Sequence, residues 1–261
     1  MPSESGETMI AARYFQHLSR SAMEFLSLSP DADIYQLIAI RLRELLGDAI
    51  VAVASYDSRT RVLRQEALEG VGSLLESVTN LAGRPVKGFS SVVNAETEAK
   101  NRLGRLVKVE EGLYEGLLRT VPKGVTRTME RLMGIREVYG MGCVAGGECF
   151  GCVLFCLRSG AQLPPAEVVE AHVNQAAVAM QRRRAEVALR ASEERYLALM
   201  ERAADSYLVL STAGIILYAN NAVCRVVGYP REELVGRSVS DFIDPSDIAN
   251  RPLPLGSVQP R

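Results

Sequence analysis

The sequence predicts an α+β fold built from two units that one long helix connects. Three observations lead to this prediction. Two pairs of short runs, rich in β-branched and apolar residues, are each joined by a tight turn, which predicts two β-hairpins in the first unit. A run without glycine or proline follows and predicts one uninterrupted helix. After it, a strand, a turn and another strand lead into helical segments, which predicts a second, smaller unit.

The first unit is predicted to cover residues 10–180, after a disordered start over residues 1–9. Ile10–Leu28 carries apolar residues at helical spacing, and Ile34–Leu46 repeats this spacing after a polar turn that can cap a helix. We therefore expect two helices before the first strand.

Two hairpins are predicted in this unit. Ala49–Tyr56 and Val62–Leu68 predict the first, with a polar turn between them. Val138–Ala145 and Cys149–Leu157 predict the second, with a Gly-Gly tip suited to positive φ. We expect the strands to form one antiparallel sheet.

Helices are predicted between the hairpins at Ser73–Leu81 and Val125–Met133. The order of helix, hairpin, variable region, closing hairpin and exit helix resembles the GAF family of small-molecule sensor domains. The last strand adds to the resemblance, because it reads CVLFCLRSG over Cys152–Gly160. The resemblance implies an antiparallel sheet with helices on one face and a ligand pocket on the other.

The long helix is predicted from Pro164 to Ala204. Two prolines suit its start, and Glu167 and Glu170 favour the positive end of the helix dipole. Because it is longer than a small domain is wide, we expect it to extend beyond the first unit as a signalling helix.

Apolar residues along this helix are spaced by four, three and four, which predicts a seam for another helix at Val169, Val173, Ala176 and Met180. The seam breaks at Arg182–Arg184. It resumes on a shifted face, like a heptad stutter, at Ala185, Leu189, Ser192, Tyr196 and Leu199. Two interpretations stay open. A parallel homodimer seam is favoured because an unpaired helix of this length has little else to stabilise it; alternatively, the helix packs on its own domain and then enters solvent.

The second unit, over residues 192–251, contains three recognisable runs: SEERY from Ser192, GIILYANNA from Gly214 and GYPREELVG from Gly228. They resemble the first half of a PAS domain. This predicts strands at Tyr207–Ser211 and Ile215–Ala219, and a helix at Ala222–Val227, capped by Asn220 or Asn221.

A PAS domain continues with a further helix and three strands, whereas here a proline-rich tail follows. The run Phe242–Asp247 still resembles the family, and residues 252–261 are predicted to be disordered. The PAS unit is therefore expected to be incomplete, loosely ordered or dependent on a partner, in a truncated chain or a fragment.

The cysteines suggest two readings. Cys149 and Cys152 have the spacing of a zinc knuckle, and Cys143 lies across the hairpin turn, so the three are candidates for metal binding or redox sensing. Against this, strand alternation places Cys149 and Cys152 on opposite faces, whereas Cys152, Leu154 and Cys156 share one face. The favoured interpretation is that the cysteines pack as small apolar residues, and no metal is assigned.

Composition and charge limit the classes of partner that the chain is expected to bind. A net charge of −1 does not indicate nucleic acid or an anionic membrane, and the arginine triplet at residues 182–184 has no aromatic residues interleaved. No apolar run is long enough to span a bilayer, and the N-terminus lacks a signal-peptide pattern. We expect a cytoplasmic chain.

The residues that bind known cofactors in the two families are not found in this sequence. The cyclic-nucleotide pattern of GAF domains and the Cys-His pair of bilin sites are missing, and no histidine follows His172 to ligate haem. Asn221–Arg225 resembles a flavin photosensor motif only superficially. The cofactor and the ligand-binding residues are therefore left unassigned.

No catalytic residues are assigned either, because the chain lacks a P-loop, a nucleophile elbow and histidine-kinase motifs. The leading hypothesis is a sensory module that binds a small molecule in the GAF-like domain and relays its state through a dimeric helix to a PAS or output domain, as in the input region of a two-component histidine kinase. A protein-interaction scaffold without a ligand is the main alternative, and a cysteine-based redox or metal sensor is the third.

Overall fold

The structure is a computed structural model that describes residues 4–29 and 31–243, with side chains from Thr8 onward. Predictions made for residues 1–3 and 244–261, which include most of the Phe242–Asp247 run and the proline-rich tail, lie outside the described residues. The chain divides into two compact units between Ala185 and Glu186.

The first unit contains the two predicted hairpins and the predicted helices. Its helices are α1 (Glu4–Ser27), α2 (Ile34–Leu46), α3 (Leu75–Ala82), α4 (Ala95–Arg102), α5 (Leu113–Gly116), α6 (Lys123–Met133) and the start of α7 (Ala166–Arg202). Its strands are β1 (Ala49–Asp57), β2 (Val62–Glu69), β3 (Ser90–Val92), β4 (Val107–Lys108), β5 (Ile135–Ala145) and β6 (Glu148–Arg158).

α1 begins at Glu4, whereas the sequence predicted a disordered segment up to residue 9. No proline follows Pro2 in this stretch, so nothing in the backbone stops the helix from extending upstream of Ile10.

The six strands form one antiparallel sheet in the order β3-β2-β1-β6-β5-β4. β1 and β6 are the central pair, in a register that sets Ala52 opposite Leu154 and Val53 opposite Val153. The tip of the second hairpin holds Gly146 and Gly147 at φ 56° and 80°, as its Gly-Gly sequence predicted. The α+β prediction and the expected antiparallel sheet are confirmed.

Helices α1, α2 and α7 cover one face of the sheet. The core between them contains Ile38 and Leu42 of α2, and Val53 and Phe155 of the sheet, all fully buried. Burying a side chain of this kind contributes about 1.5–3 kcal/mol, so this layer is the main source of stability in the unit.

The predicted dimer seam belongs to this core. Val169, Val173 and Ala176 are 0% exposed and Met180 is 3% exposed, all packed against the sheet face of their own chain. The interpretation of these four residues as a seam for another helix is corrected. A sheet in the same chain offers a broad apolar face without the entropy loss of association, so the first turns of α7 are buried there.

The arginine triplet joins α7 to the end of α1, to the segment that follows α1 and to β6. Arg182 Nη1 donates to the carbonyl of Leu26, at 3.2 Å, and Arg183 donates to the carbonyls of Ser29 and Ala32, both at 2.9 Å. Arg184 lies 5.9 Å from the ring centroid of Phe150. Cations at the C-terminal end of a helix interact favourably with its exposed carbonyls and dipole, so the triplet has a structural role.

The second unit continues from α7 into a two-stranded antiparallel sheet. Its further elements are β7 (Leu208–Leu210), β8 (Ile216–Ala219), α8 (Asn221–Val227), α9 (Arg231–Leu234) and a 3-10 turn (Val239–Phe242). A small core joins them, formed by Ile216, Ala219, Val223, Leu234 and Val239.

Asn220 organises this unit and is 0% exposed. Its Oδ1 accepts hydrogen bonds from the backbone N–H groups of Val223 and Tyr207, at 3.1 and 3.0 Å. Its Nδ2 donates to the carbonyls of Met200 and Asp205, each at 2.9 Å. Of the two predicted caps of α8, the structure uses Asn220, and this one side chain also joins the end of α7 to the strands.

In the described residues, no helix combines the length and the apolar character that a bilayer span needs.

Candidate ligand-binding site

A cavity of about 140 Å³ lies on the sheet face opposite α1, α2 and α7. Alternate residues of β1 and β6 form its floor. The cover comes from α3, α5, α6 and the loop after α3, through Val78, Ala82, Leu113, Leu117, Met129 and Met133. Helices on one face and a pocket on the other are the arrangement that the GAF resemblance implied.

The alternation of side-chain size along β1 explains why space remains here. Val51 and Val53 point into the helix-covered core, whereas Ala52 and Ala54 line the cavity. The larger residues thus fill one face of the strand and the small ones leave room on the other. The VAVA run from Val51 is a sequence signal that could have located this cavity.

The lining is almost entirely apolar, and Arg84, Gln65 and Ser91 are its polar members. The amide Nε2 of Gln65 donates to the carbonyl of Ala67 at 2.6 Å, so one of its two N–H donors is already used. Arg84 is the charged group of the lining, and no carboxylate is among the described residues that line the cavity.

Arg84 is held in place at the cavity by two contacts. Its guanidinium carbon lies 3.4 Å from the centroid of the Phe89 ring, and its Nη2 donates to Thr120 Oγ1 at 2.6 Å. Partial burial lowers the pKa of Arg84 from its ordinary value. Among the described residues, no carboxylate oxygen lies within 4.0 Å of its guanidinium nitrogens. The cavity therefore carries one oriented positive charge at its edge.

Two cysteines of the cluster, Cys152 and Cys156, line the cavity. Burial raises the pKa of each thiol to about 12. Burial also raises the pKa of Cys149 and, more strongly, that of Cys143. Thiols with such pKa values stay protonated at neutral pH, and the protonated form is a poor metal ligand and nucleophile.

A β-bulge changes the predicted orientation of Cys149. Cys143 pairs with Gly151 and Val144 pairs with Cys149, so Phe150 is an extra residue in β6. As a result Cys149 and Cys152 pack in the same cluster, on the cavity side of the sheet, and the prediction that they occupy opposite faces is wrong. Simple alternation fails because it assumes an unbroken strand.

Cys143 lies on the other side of the sheet, in the helix-covered core. The sheet therefore separates it from Cys149 and Cys152, the other two candidate metal ligands. Across the described residues, no three His, Cys, Asp or Glu side chains are grouped in a way that could hold a metal ion.

A second, polar groove of about 380 Å³ lies near α6 and β5. Its charges neutralise one another: Lys123 Nζ lies 2.8 Å from Glu111 Oε1, and Lys108 Nζ lies 2.7 Å from Glu137 Oε1. These pairs are partly exposed to solvent, which suits a hydrated surface better than a ligand site.

The remaining predicted signalling residues, Leu189 and Tyr196, are 61% and 63% exposed. They belong to the second set of residues predicted along α7, which lies beyond its last core residue Met180. We call this set the exposed seam: Ala185, Leu189, Ser192, Tyr196 and Leu199. The predicted stutter was therefore a change of face, from buried core residues to the exposed seam.

α1 carries a similar outward pattern, which the sequence analysis missed. Its members are spaced by four and three residues at Ala12, Phe15, Ser19, Ala22 and Leu26. Phe15 and Leu26 are 73% and 61% exposed, in contrast to the buried Phe25 of the same helix. The core stripe of α1 is apolar enough to explain the helix by itself, so periodicity did not indicate the opposite side.

Comparison with family models agrees with the PAS resemblance. Residues 194–253 match the family model described as the PAS fold, which confirms the PAS resemblance of this part of the chain. The chain is 36% identical over 67 residues to the basic helix-loop-helix ARNT-like protein 2 of Gallus gallus, a match that covers 24% of this chain and 11% of that protein. The match thus spans about a tenth of that relative.

Two solved structures are similar to part of this chain. The GAF domain from Acinetobacter phosphoenolpyruvate-protein phosphotransferase has a TM-score of 0.44 at 11% identity, over 66% of this chain and 94% of that chain. The chromophore-binding domain of the bacteriophytochrome RpBphP3 from R. palustris has a TM-score of 0.45 at 13% identity, over 66% of this chain and 60% of that chain.

Proposed function

We propose that this chain, with its PAS segment over residues 194–253, is a sensory module in which the cavity binds a small molecule and α7 relays the occupied state. One observation carries the proposal: the same strands that form the cavity floor also form the surface on which α7 packs. In this proposal the chain acts by binding, and any catalysis belongs to an output partner such as a histidine kinase.

β6 links the two faces most directly. Leu154 and Cys156 line the cavity, whereas Val153 and Phe155 lie in the core with α7. A side-chain shift of Leu154 therefore moves the backbone that supports Phe155, because neighbouring residues of a strand project to opposite faces. Closely packed interiors transmit such displacements.

Gly151 supports the same path near the hairpin tip. A Cβ added at this residue would lie 3.4 Å from Met180 Sδ and 2.3 Å from the carbonyl oxygen of Ala54. At Gly151 the backbone of β6 thus lies directly against the backbone of β1 and against the Met180 side chain of α7. Movement of the sheet here acts on the last core residue of α7.

For the partner we propose a second copy of the chain, docked through the exposed seam. Beyond the arginine triplet α7 has no buried residue, and an isolated helical segment in water is marginal. In a parallel dimer, the positions that flank the seam set Gln181 opposite Glu186 and Ala188 opposite Glu193, so no like charges meet there. This keeps the second half of the seam predicted from the sequence, from Ala185 to Leu199, and omits its first half.

Native mass spectrometry of the purified chain, with a denatured sample beside it, tests the proposal. We expect a dimer with an added mass that denaturation releases and that Ala52→Leu, which fills the cavity floor, abolishes. Hydrogen exchange along α7 should differ between the loaded and the stripped chain. A dimer in which the cavity takes up no small molecule would instead support the scaffold alternative, and a monomer would contradict relay through paired helices.

A further inference from the structure

We propose that the cavity takes a small apolar carboxylate, whose body fills the space above Ala52 and Ala54 and whose carboxylate pairs with Arg84. This inference rests on the proposed function, because it names the ligand class of the same cavity. The size of the cavity, the polarity of its lining and the geometry of Arg84 support it.

The size of the cavity limits the apolar body. Its volume of about 140 Å³ is close to the roughly 150 Å³ of an engineered apolar cavity that binds benzene. An aromatic ring or an aliphatic chain of similar bulk fits, whereas a nucleotide or a tetrapyrrole is much larger. The small ligand class follows from the two alanines of β1 and from the cover that α3 and α6 provide.

The polarity of the lining limits the charge of the ligand. Apolar side chains such as Leu117, Met129 and Leu154 surround the space, and within the described residues no carboxylate lines it. A cationic ligand would be desolvated there without an anionic partner, which is costly. An anion meets the positive charge of Arg84, so the lining discriminates by charge as well as by shape.

Arg84 is arranged to receive a carboxylate. The Phe89 ring supports the flat face of the guanidinium, and Thr120 Oγ1 accepts a hydrogen bond from Nη2. Thr120 Oγ1 in turn donates to the carbonyl of Leu117 at 2.5 Å, which fixes the hydroxyl. Stacking covers only the face of the guanidinium, and the in-plane N–H groups other than the one bonded to Thr120 can donate the paired hydrogen bonds that a carboxylate accepts from arginine.

Other arginines of the unit show what Arg84 lacks. Arg158 is 2.9 Å from Asp48, Arg61 is 2.5 Å from Glu98 and Arg105 is 3.0 Å from Glu170. Each satisfies its charge within the chain. Arg84, at the edge of the apolar cavity, has no such partner in the described part of the chain, and a bound carboxylate supplies it.

The test is isothermal titration calorimetry of the full chain with phenylacetate, with its neutral isostere phenylacetamide and with the cation benzylamine. We expect phenylacetate to bind at least about tenfold tighter than phenylacetamide, because it gains charge-assisted hydrogen bonds, and benzylamine to bind weakest. Arg84→Gln should remove this preference. Lys87→Gln is the matched control, since it removes a charge from the same loop at a residue that does not line the cavity.

The outcomes separate the two proposals. One outcome is that phenylacetate and phenylacetamide bind equally, that Arg84→Gln changes the affinity for neither and that Ala52→Leu weakens the binding of both. The cavity is then a ligand site, but the carboxylate class is wrong. If phenylacetate binds and Ala52→Leu has no effect, binding lies elsewhere and the inference fails. If none of the three probes binds at millimolar concentration, the carboxylate class is again wrong. If native mass spectrometry also shows no added mass that denaturation releases, that result counts separately against the proposal that the cavity is a sensor site.

Discussion

His17 of α1 and His172 of α7, the two histidines of the chain, hold their ring centroids 5.3 Å apart. His172 is 0% exposed, and within the described chain neither of its ring nitrogens has a hydrogen-bond partner. Burial, with smaller contributions from His17 and Arg41, lowers the pKa of His172 to about 3. The contact between α1 and α7 therefore depends on a neutral imidazole.

Stability should fall as the pH is lowered through the weakly acidic range. The unfolded state binds a proton at His172 near its ordinary pKa of 6.5, whereas the folded state resists protonation down to about 3. The contribution of this neutral group is therefore complete above pH 6.5 and is lost progressively below it, by at most ~1.4 kcal/mol per pH unit.

His172→Phe tests this origin. The variant has no titrating group there, so its urea unfolding midpoint should change less between pH 7 and pH 5 than that of the wild type. His17→Gln is the control and should keep most of the dependence, because His17 is only partly buried. Equal pH dependence in His172→Phe and the wild type would contradict the assignment.

Arg183→Ala should destabilise the first unit. Arg183 donates hydrogen bonds to the carbonyls of Ser29 and Ala32, and hydrogen bonds from charged groups contribute about 1.5–3 kcal/mol each when well shielded. Since one of these bonds is exposed, we expect a loss of about 1–2 kcal/mol by urea unfolding. Arg190→Ala, at an exposed residue of the same helix, should change stability by less than about 0.5 kcal/mol. Equal losses of stability in Arg183→Ala and Arg190→Ala would contradict the proposed stabilising role of Arg183.

Leu189→Glu should dissociate the proposed dimer. Leu189 lies on the exposed seam, and a carboxylate there would meet its counterpart in the partner at a desolvated position. Val187→Glu is a matched control, since Val187 is 58% exposed against 61% for Leu189 but lies off the seam. Light scattering after size exclusion gives the mass of each variant. Dissociation by Val187→Glu alone would place the interface on another side of α7.

Gly142→Ala should destabilise β5 against α4. A Cβ at Gly142 would lie 1.9 Å from the carbonyl oxygen of Asn101, so the backbone of one element must move. We expect a loss of about 1–3 kcal/mol by urea unfolding, the range typical of overpacking. Gly140→Ala, in the same strand, would place its Cβ 3.7 Å from the nearest atom and should cost much less. A tolerated Gly142→Ala would show that α4 is free to shift.

Periodicity and turn chemistry predicted both hairpins and the long helix because these features depend on local sequence. The strands β3 and β4 were missed, since three and two residues are too few to show alternation. The spacing of Val169, Val173 and Ala176 correctly indicated an apolar face. It could not indicate which surface covers that face, because a sheet and a second helix accept the same pattern.

The candidate site was less accessible from the sequence. The small residues Ala52 and Ala54 alternate with valines, and this signal predicts where space remains on a strand. The role proposed for Arg84 depends on Phe89 and Thr120, and Thr120 reaches it from a distant segment that only the fold brings near. The bulge at Phe150 likewise depends on how β5 and β6 pair, which no pattern in β6 alone determines.

The two faces of α7 obey different periods. Its core face fits a straight helix with 3.6 residues per turn, whereas the exposed seam repeats every 3.5 residues, and the two drift apart by about 20° per heptad. A helix anchored through Met180 and paired through Leu189 must take up that difference as twist between them. In the proposed sensor, the signal that α7 transmits is therefore a rotation of the helix about its axis. A ligand that tilts β6 by a small amount would change the rotational orientation in which the two copies of α7 pair.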